Sequence, residues 1–389
     1  MASRNAIIVS QYERAFGRVV NRPYAYSFWK GRVALFAILR ALGIGHGDEV
    51  ILPGFTCVVV PNSVRMCGAT PIYADIREGT YNLDPVSVER SITSRTRALI
   101  IQHTFGIPAD MDSLLDVACR HKLAIVEDCA HALGSTFRGQ QVGTFGVGAF
   151  YSSQWSKPYT TGLGGMAVTA DSEMAARVRV IQEEFAWPAL LDRSKLRLQY
   201  HLYRRFFSPK AYWTALDLLH RLSRWGLFVG SSDESELMGG VPHDGKWRMS
   251  EFQASIGLKQ LPRLSHQLEH RRRLAEIYED YLRGEGWQLA QVLRDSDVQF
   301  LRYPLRVANK QELLHCAERE RVEIGSWMET VLHPVKGSIL DSFGYKAGQC
   351  PMAEQAAQEV VNLPMHPSVS FDEAHRIAAF ICRVAQNPP

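Results

Sequence analysis

Between about residues 30 and 180 the hydrophobic pattern alternates between two periods. Residues 32–42, RVALFAILRAL, place apolar side chains at helical spacing and stop at Gly43, which predicts a helix. Residues 49–53 (EVILP) read as a short buried strand, 56–67 as a helix and 71–75 (PIYAD) as the next strand. The apolar runs 98–102, 123–127 and 148–152 predict three more strands, with a helix near 110–121. Short apolar strands separated by helices make a mostly parallel sheet covered on both faces. In such a sheet, polar residues at the carboxyl ends of strands face the ligand crevice. That places Asp75, His103, Asp128 and Ser152 on one rim.

Residues 182–240 break the alternation. Within them, the stretch 193–224 sets eight Lys and Arg against one acid, Asp217, and interleaves them with aromatic residues. It reads as a helical flap; a lid attracting an anionic substrate and an interfacial helix on acidic lipid head groups are its other readings. Helical periodicity returns over 249–284, interrupted near Pro262, and strand, helix and helix follow at 299–307, 310–321 and 371–384. At 389 residues the chain exceeds the size at which single cores stop growing. We expect a large domain over 1–250, with an insertion at about 182–240, followed by a linking helix and a small α+β domain over 251–389.

Composition narrows the function. A formal charge of +4 is too small for this length to imply nucleic acid as a partner. The seven cysteines are odd in number, scattered and without a CxxC pair, which fits a reducing, cytoplasmic compartment. The amino terminus has only a three-residue apolar run before its charges, unlike a secretory signal. No stretch reaches the ~18 apolar residues of a spanning helix. His266, Glu269 and His270 match an inverted zinc-protease spacing, but Arg271-Arg272-Arg273 follow in the same helix and the motif reads as packing, so no metal is expected.

Three features carry chemistry: Glu127-Asp128-Cys129-Ala130-His131 at a strand end, Lys157 after the serine-flanked run Ser152–Ser156, and the turn Gly162-Leu163-Gly164-Gly165 returning to a strand. A lysine in a crevice beside hydroxyls and an acid suits a phosphorylated cofactor bearing a carbonyl. The amine forms the Schiff base, the carboxylate keeps a ring nitrogen protonated, and hydroxyls with helix-terminal N–H groups hold the phosphate.

Segments 41–56 (ALGIGHGDEVILPGFT), 126–146 (VEDCAHALGSTFRGQQVGTFG), 156–169 (SKPYTTGLGGMAVT), 246–261 (KWRMSEFQASIGLKQL) and 350–370 carry a resemblance over nearly the whole chain. In content and order they resemble the nucleotide-sugar aminotransferases of the DegT/StrS type, fold type I pyridoxal-phosphate enzymes. The resemblance implies an α/β fold with a mainly parallel, seven-stranded-type sheet plus a smaller C-terminal α+β domain, pyridoxal 5'-phosphate (PLP) as cofactor, and a homodimer. It implies transfer of an amino group, from a donor such as glutamate, to a keto acceptor, a nucleotide-linked sugar. Both substrates are small molecules.

By position, the resemblance gives Lys157 the covalent link to the cofactor, Asp128 the ring nitrogen, His131 the neighbourhood of the phenolic oxygen and Ser152 the phosphate. This chain departs from the family at Lys30-Gly31-Arg32, where the family has Ser-Gly-Thr, and at Lys246, where it has an Asn donated across the dimer interface. Gly31 keeps its backbone N–H for the phosphate. Arg32 or Lys246 then substitutes a charged donor for a neutral one. Cys57 stands where a ring-stacking aromatic is usual, and His103 and His333 are expected at the substrate. Cys57 and the insertion leave a further reading open, the same chemistry on a non-sugar or lipid-linked ketone; a reading of another class is a cofactor-binding sensor or scaffold without turnover.

Overall fold

The computed structural model describes residues 4–206 and 234–387. Residues 207–224 of the basic, aromatic stretch therefore lie outside the described residues.

The strands of the larger part are β1 (Tyr24–Phe28), β2 (Glu49–Pro53), β3 (Thr56–Cys57), β4 (Thr70–Ala74), β5 (Thr96–Gln102), β6 (Ala124–Asp128), β7 (Thr136–Phe137), β8 (Gln140–Gln141), β9 (Gly148–Ser152) and β10 (Gly165–Thr169). Its helices are α1 (Arg4–Val19), α2 (Gly31–Ala41), α3 (Val59–Met66), α4 (Pro85–Arg90), α5 (Met111–His121), α6 (Ser172–Glu184), α7 (Leu190–Phe206) and α8 (Glu234–Leu237). Among the described residues, seven strands form one sheet in the order β1-β10-β9-β6-β5-β2-β4. From β4 through β9 the pairings are parallel. β10 and β1 complete the edge in antiparallel sense. The central strands are buried on both faces, as their unbroken Val, Ile and Leu runs require.

α2 is apolar nearly all round, and all its residues but Arg40 are buried. A helix of that kind can only sit in a core. Its first turn meets the sheet unusually closely. A side chain at Gly165 would put Cβ 2.3 Å from the Lys30 carbonyl oxygen and 2.5 Å from Gly31 Cα. Backbone packs directly on backbone there, so the amino end of α2 lies against the amino end of β10, whose Gly165 pairs with Ser152 at the carboxyl end of β9.

The remainder comprises α9 (Glu251–Gln260), α10 (Leu264–Gly284), β11 (Ser296–Asp297), β12 (Tyr303–Arg306), α11 (Lys310–Glu320), β13 (Leu332–His333), α12 (Ile339–Ser342), α13 (Pro351–Glu359), β14 (Val360–Leu363) and α14 (Phe371–Val384). Ser250 opens α9 with a reciprocal capping box to Gln253. The single turn at Leu261–Arg263, around Pro262, separates α9 from α10 as the sequence predicts. β12 pairs with β14, β11 joins the β7–β8 hairpin, and β13 pairs in parallel with β3. The last pairing corrects the expected helix over 56–67. Thr56 and Cys57 are extended because their partners come from Leu332 and His333, and the helix starts only at Val59. One apolar core runs from α2 through Tyr278, Tyr303, Leu313 and Ile377. No described helix is long and apolar enough to cross a membrane.

Candidate active site

β6 ends in two acids with opposite tasks, because alternate residues of a strand face opposite sides. Glu127 turns inward, fully buried, and accepts hydrogen bonds from the N–H groups of Gly143 (2.6 Å), Phe145 (2.8 Å) and Gly146 (2.7 Å). The His103 imidazole and these N–H groups hold its carboxyl below the usual range despite burial. Asp128 turns toward the crevice. Its Oδ1 accepts from Ala130 N–H at 2.9 Å, and burial pushes its carboxyl up to about 6, with Lys157 opposing the rise.

Lys157 reaches the same crevice from the loop between β9 and β10. The loop is held by Ser153 N–H donating to the Gly164 carbonyl (3.0 Å), Thr161 N–H donating to the Ser153 carbonyl (2.9 Å) and the Ser153–Thr161 hydroxyl pair (2.7 Å). A side chain at Gly164 would come within 2.2 Å of Ser153 Oγ, so the glycine turn is a packing requirement. Burial brings the Lys157 amine down to about 8; Asp128 resists the shift and Arg302 adds to it. An amine near neutrality in such a crevice is a competent nucleophile.

His131 lies over the crevice, its ring against Phe105 (centroids 6.4 Å apart, 15° between planes) and edge-on to Trp327 (6.2 Å). Its Nδ1 accepts from Phe105 N–H at 3.3 Å. Burial holds its pKa well down, so the ring is neutral and Nε2 carries the proton. The opposite wall is built by Trp327, His333 and Arg302. The indole lies 4.6 Å from the His333 ring, 5.9 Å from Lys157 Nζ and 5.1 Å from the Arg302 guanidinium carbon. His333 reaches this wall because β13 places it beside Cys57. Burial brings His333 down to about 4 and pushes the Cys57 thiol up.

The far end of the crevice is the amino terminus of α2. Lys30 provides no side-chain cap, and a Cβ at Gly31 would sit 3.1 Å from Ser152 Cβ, so Gly31 and Ser152 are in contact. Uncapped N–H groups next to a hydroxyl form an anion cradle. Arg32 and Lys30 are buried here and form ion pairs with Glu236 of α8 and with Asp244 (2.6 Å for the latter).

The structure thus brings Lys157, Asp128, His131, Ser152, Gly31, Arg32, Cys57 and His333 together around one crevice. It corrects two expectations. His103 is fully buried behind Asp128; its Nδ1 accepts from Ala109 N–H (3.1 Å), so Nε2 donates to Glu127 (3.2 Å) and no edge is left for a substrate. Asp75 turns away from the rim to cap α13, accepting from Met352 and Ala353 N–H at 3.0 and 2.9 Å. Lys246 is exposed on its own chain, and Arg32 faces Glu236. The inverted zinc-protease spacing is absorbed by packing, with His270 bonded to the Val369 carbonyl and stacked on Phe371. The ligand atoms of His103, Glu127 and Cys129 lie close together, but the glutamate is already filled by backbone N–H groups. Sequence reasoning missed Arg302, which falls inside the strand expected over 299–307 but just before β12, Trp327, which sits in irregular backbone, and Glu236 and Asp244.

The model of the DegT/DnrJ/EryC1/StrS aminotransferase family matches residues 5–188 and 222–382. The unmatched stretch falls inside the predicted insertion. GDP-perosamine synthase of Caulobacter vibrioides is 30% identical over 380 residues, covering 97% of this chain and 90% of that protein. A UDP-N-acetyl-3-dehydro-alpha-D-glucosamine 3-aminotransferase of Acidithiobacillus ferrooxidans is 30% identical over 91% of this chain and 82% of its own length. Among solved structures, S. venezuelae DesV in complex with a ketimine intermediate superposes with a TM-score of 0.76 at 28% identity, covering 97% of this chain and 88% of that one.

Proposed function

The chain belongs to the DegT/DnrJ/EryC1/StrS aminotransferase family, and from that premise we propose that it moves an amino group from glutamate to the ketone of a nucleotide-linked sugar, using PLP held at Lys157. The observation that carries this reading is the Lys157 amine, lowered to about 8 and set in a crevice with Asp128. The residues present fit such a cofactor. Asp128 is a buried acid able to face a ring nitrogen, and the Gly31–Ser152 cradle would be filled by any side chain at position 31. Lys157 would carry the aldehyde carbon, Asp128 the ring nitrogen, His131 the phenolic oxygen side, and Gly31, Ser152 and Arg32 the phosphate. When bound, the cofactor supplies an electron sink for the carbanion that forms as the amino-bearing carbon loses its proton.

The chain's own groups do the remaining work. The Lys157 amine, once released, is positioned to take and return that proton, and its depressed affinity for protons suits both directions near neutral pH. Trp327, His131 and Phe105 exclude water from the reacting face. Arg32, buried at the amino end of α2 and paired there with Glu236, would serve the phosphate as a charged donor beside the Gly31 N–H. From membership of this family we infer a homodimer, in which the exposed Lys246 would reach the partner's cradle. Cys57 leaves the ring-stacking role to neighbouring aromatics. A test is to incubate PLP-loaded protein with glutamate and a panel of nucleotide-linked keto-sugars. 2-Oxoglutarate released beyond one equivalent per chain only when a keto-sugar is present supports the reading; steady release with none of them, or no release at all, counts against it.

A second reading of the acceptor has one observation behind it. The outer face of α7 exposes Leu191, Leu198 and Leu202 among Lys195, Arg197 and Arg205, while Leu196 and Tyr200 face the body. Such a face suits an anionic lipid surface and with it a lipid-linked ketone.

A further inference from the structure

The helix α7 lies wholly between the two segments that match the family, 5–188 and 222–382. Its inner face is a stripe of Arg193, Leu196, Tyr200 and Tyr203, spaced by three and four residues as a helix requires. Leu196 and Tyr200 are buried, and Arg193 ties the stripe to α9 through Glu251 (3.2 Å). What this stripe meets is the loop that carries Lys157.

Both arms of that loop are held. Before the lysine, the Trp155 indole packs on Tyr203 (centroids 5.0 Å apart, 50° between planes) and Tyr200 (6.3 Å). The Tyr203 hydroxyl donates to the Trp155 carbonyl at 3.3 Å. Trp155 is a central residue of the turn that Lys157 N–H closes on the Gln154 carbonyl (2.9 Å). Fixing its ring and its carbonyl therefore fixes the turn that ends at the lysine. After the lysine, a side chain at Gly162 would place Cβ 3.0 Å from Leu196 Cδ1 and 3.1 Å from the Trp155 ring. Leu196 joins Trp29 and Leu163 in a small apolar cluster on which Trp155 also packs. Gln260 of α9 donates both to the Thr160 carbonyl and to the Tyr200 hydroxyl (3.3 Å for the latter).

We infer that Tyr203 is a positioning residue for Lys157, and that α7 braces the lysine loop from outside the part of the chain matched to the family. This rests on the proposed role of Lys157 and names what holds it in place. An amine that bonds a carbonyl carbon and then moves a proton needs a support fixed to within about 0.5 Å. The loop from Ser153 to Gly164 belongs to no helix or strand, and Gly162 sits at φ +85°, so its backbone has much freedom to lose. Side-chain packing from α7 restrains that freedom on both sides of the lysine. The same packing keeps the amine buried, and burial is the largest cause of its lowered proton affinity.

The test compares cofactor-free wild type with Y203F, which loses only the hydroxyl, Y203A, which loses the ring, and L198A on the exposed face of the same helix. Hydrogen exchange of the peptide covering 153–164 is read by mass spectrometry. It quickens roughly 3- to 10-fold in Y203F and 10- to 100-fold in Y203A, and stays at the wild-type rate in L198A. Acetylation of the Lys157 amine is followed against pH in the same chains. Its half-point, expected at about pH 8 in wild type, moves to about pH 9 in Y203A as the amine loses burial. Asp128, Arg302 and Cys57, whose charges also act on that amine, are untouched by these variants. Exchange quickened equally in every peptide, with the half-point unmoved, marks a merely structural residue and overturns the inference. So does an unchanged rate at 153–164 in folded Y203A, or in Y203F should Y203A fail to fold. PLP capture, read from the visible band, weakens in Y203A in step with the exchange rate. A wild-type chain that takes up no PLP counts against the proposed reaction alone, since exchange and acetylation still decide what holds the lysine.

Discussion

Replacing Asp128 with Asn is predicted to stabilise the cofactor-free protein while crippling the loaded one. Folding moves the Asp128 carboxyl from 3.8 up to about 6 because it is buried. The folded chain therefore holds this proton more tightly than the unfolded chain. Stability falls as pH rises through the window between those two values, and the full penalty is present above it. At ~1.36 kcal/mol per pH unit the ionised carboxylate costs the empty fold about 3 kcal/mol. Asn keeps an oxygen to accept from Ala130 N–H. It also buries an amide, and it removes the counter-charge that supports Lys157, so the net gain is nearer 1–2 kcal/mol. Urea denaturation of cofactor-free wild type and D128N across pH measures this directly. The variant is expected to gain on wild type from about pH 4 to pH 6 and to hold a constant advantage up to about pH 8. A D128N protein equal to or less stable than wild type at the upper end would refute the reasoning. With PLP, the order reverses: the ring nitrogen loses its acid, and both affinity and amino transfer fall.

Gly165→Ala forces a methyl group into the Lys30–Gly31 backbone and should cost about 1–3 kcal/mol with a matching loss of PLP affinity, read by thermal unfolding with and without PLP. Glu127→Gln breaks a carboxylate filled by three N–H groups and His103 and should cost about 3 kcal/mol, measured by urea unfolding. PLP capture by the empty protein should rise with pH through about 8, where Lys157 loses its proton, and R302A should move that rise to higher pH because Arg302 favours the neutral amine. Leu191, Leu198 and Leu202 changed together to Glu should abolish sedimentation with anionic vesicles if α7 lies on lipid; equal sedimentation of variant and wild type ends that reading.

Much of this fold is legible in one sequence because its central strands are buried on both faces and bounded by turn residues. The run 148–152 is a strand end to end, and 371–384 is a helix end to end. Thr56 and Cys57 were misread because a partner almost 280 residues away makes them extended, a long-range pairing no local period records. At the site, Asp128 and Ser152 could be placed because a strand end fixes where its last side chain points, and Lys157 because the serine-flanked run and the glycine turn bracket it on the loop that follows. The same rule misplaced His103 and Asp75. Being at a strand end says nothing of what lies behind the rim, where Glu127 engages one and the first turn of α13 the other. Arg302 and Trp327 escaped notice because the far wall of the crevice is contributed by irregular segments whose position depends on Arg271, which donates to the Leu301 carbonyl, and on the β3–β13 pairing.

Borohydride reduction of the PLP-loaded protein, followed by peptide mapping, bears most directly on the central claim. The account predicts that the cofactor's mass is fixed on the peptide containing Lys157 and that a K157A chain gains none. Label on another lysine, or undiminished label in K157A, would contradict it.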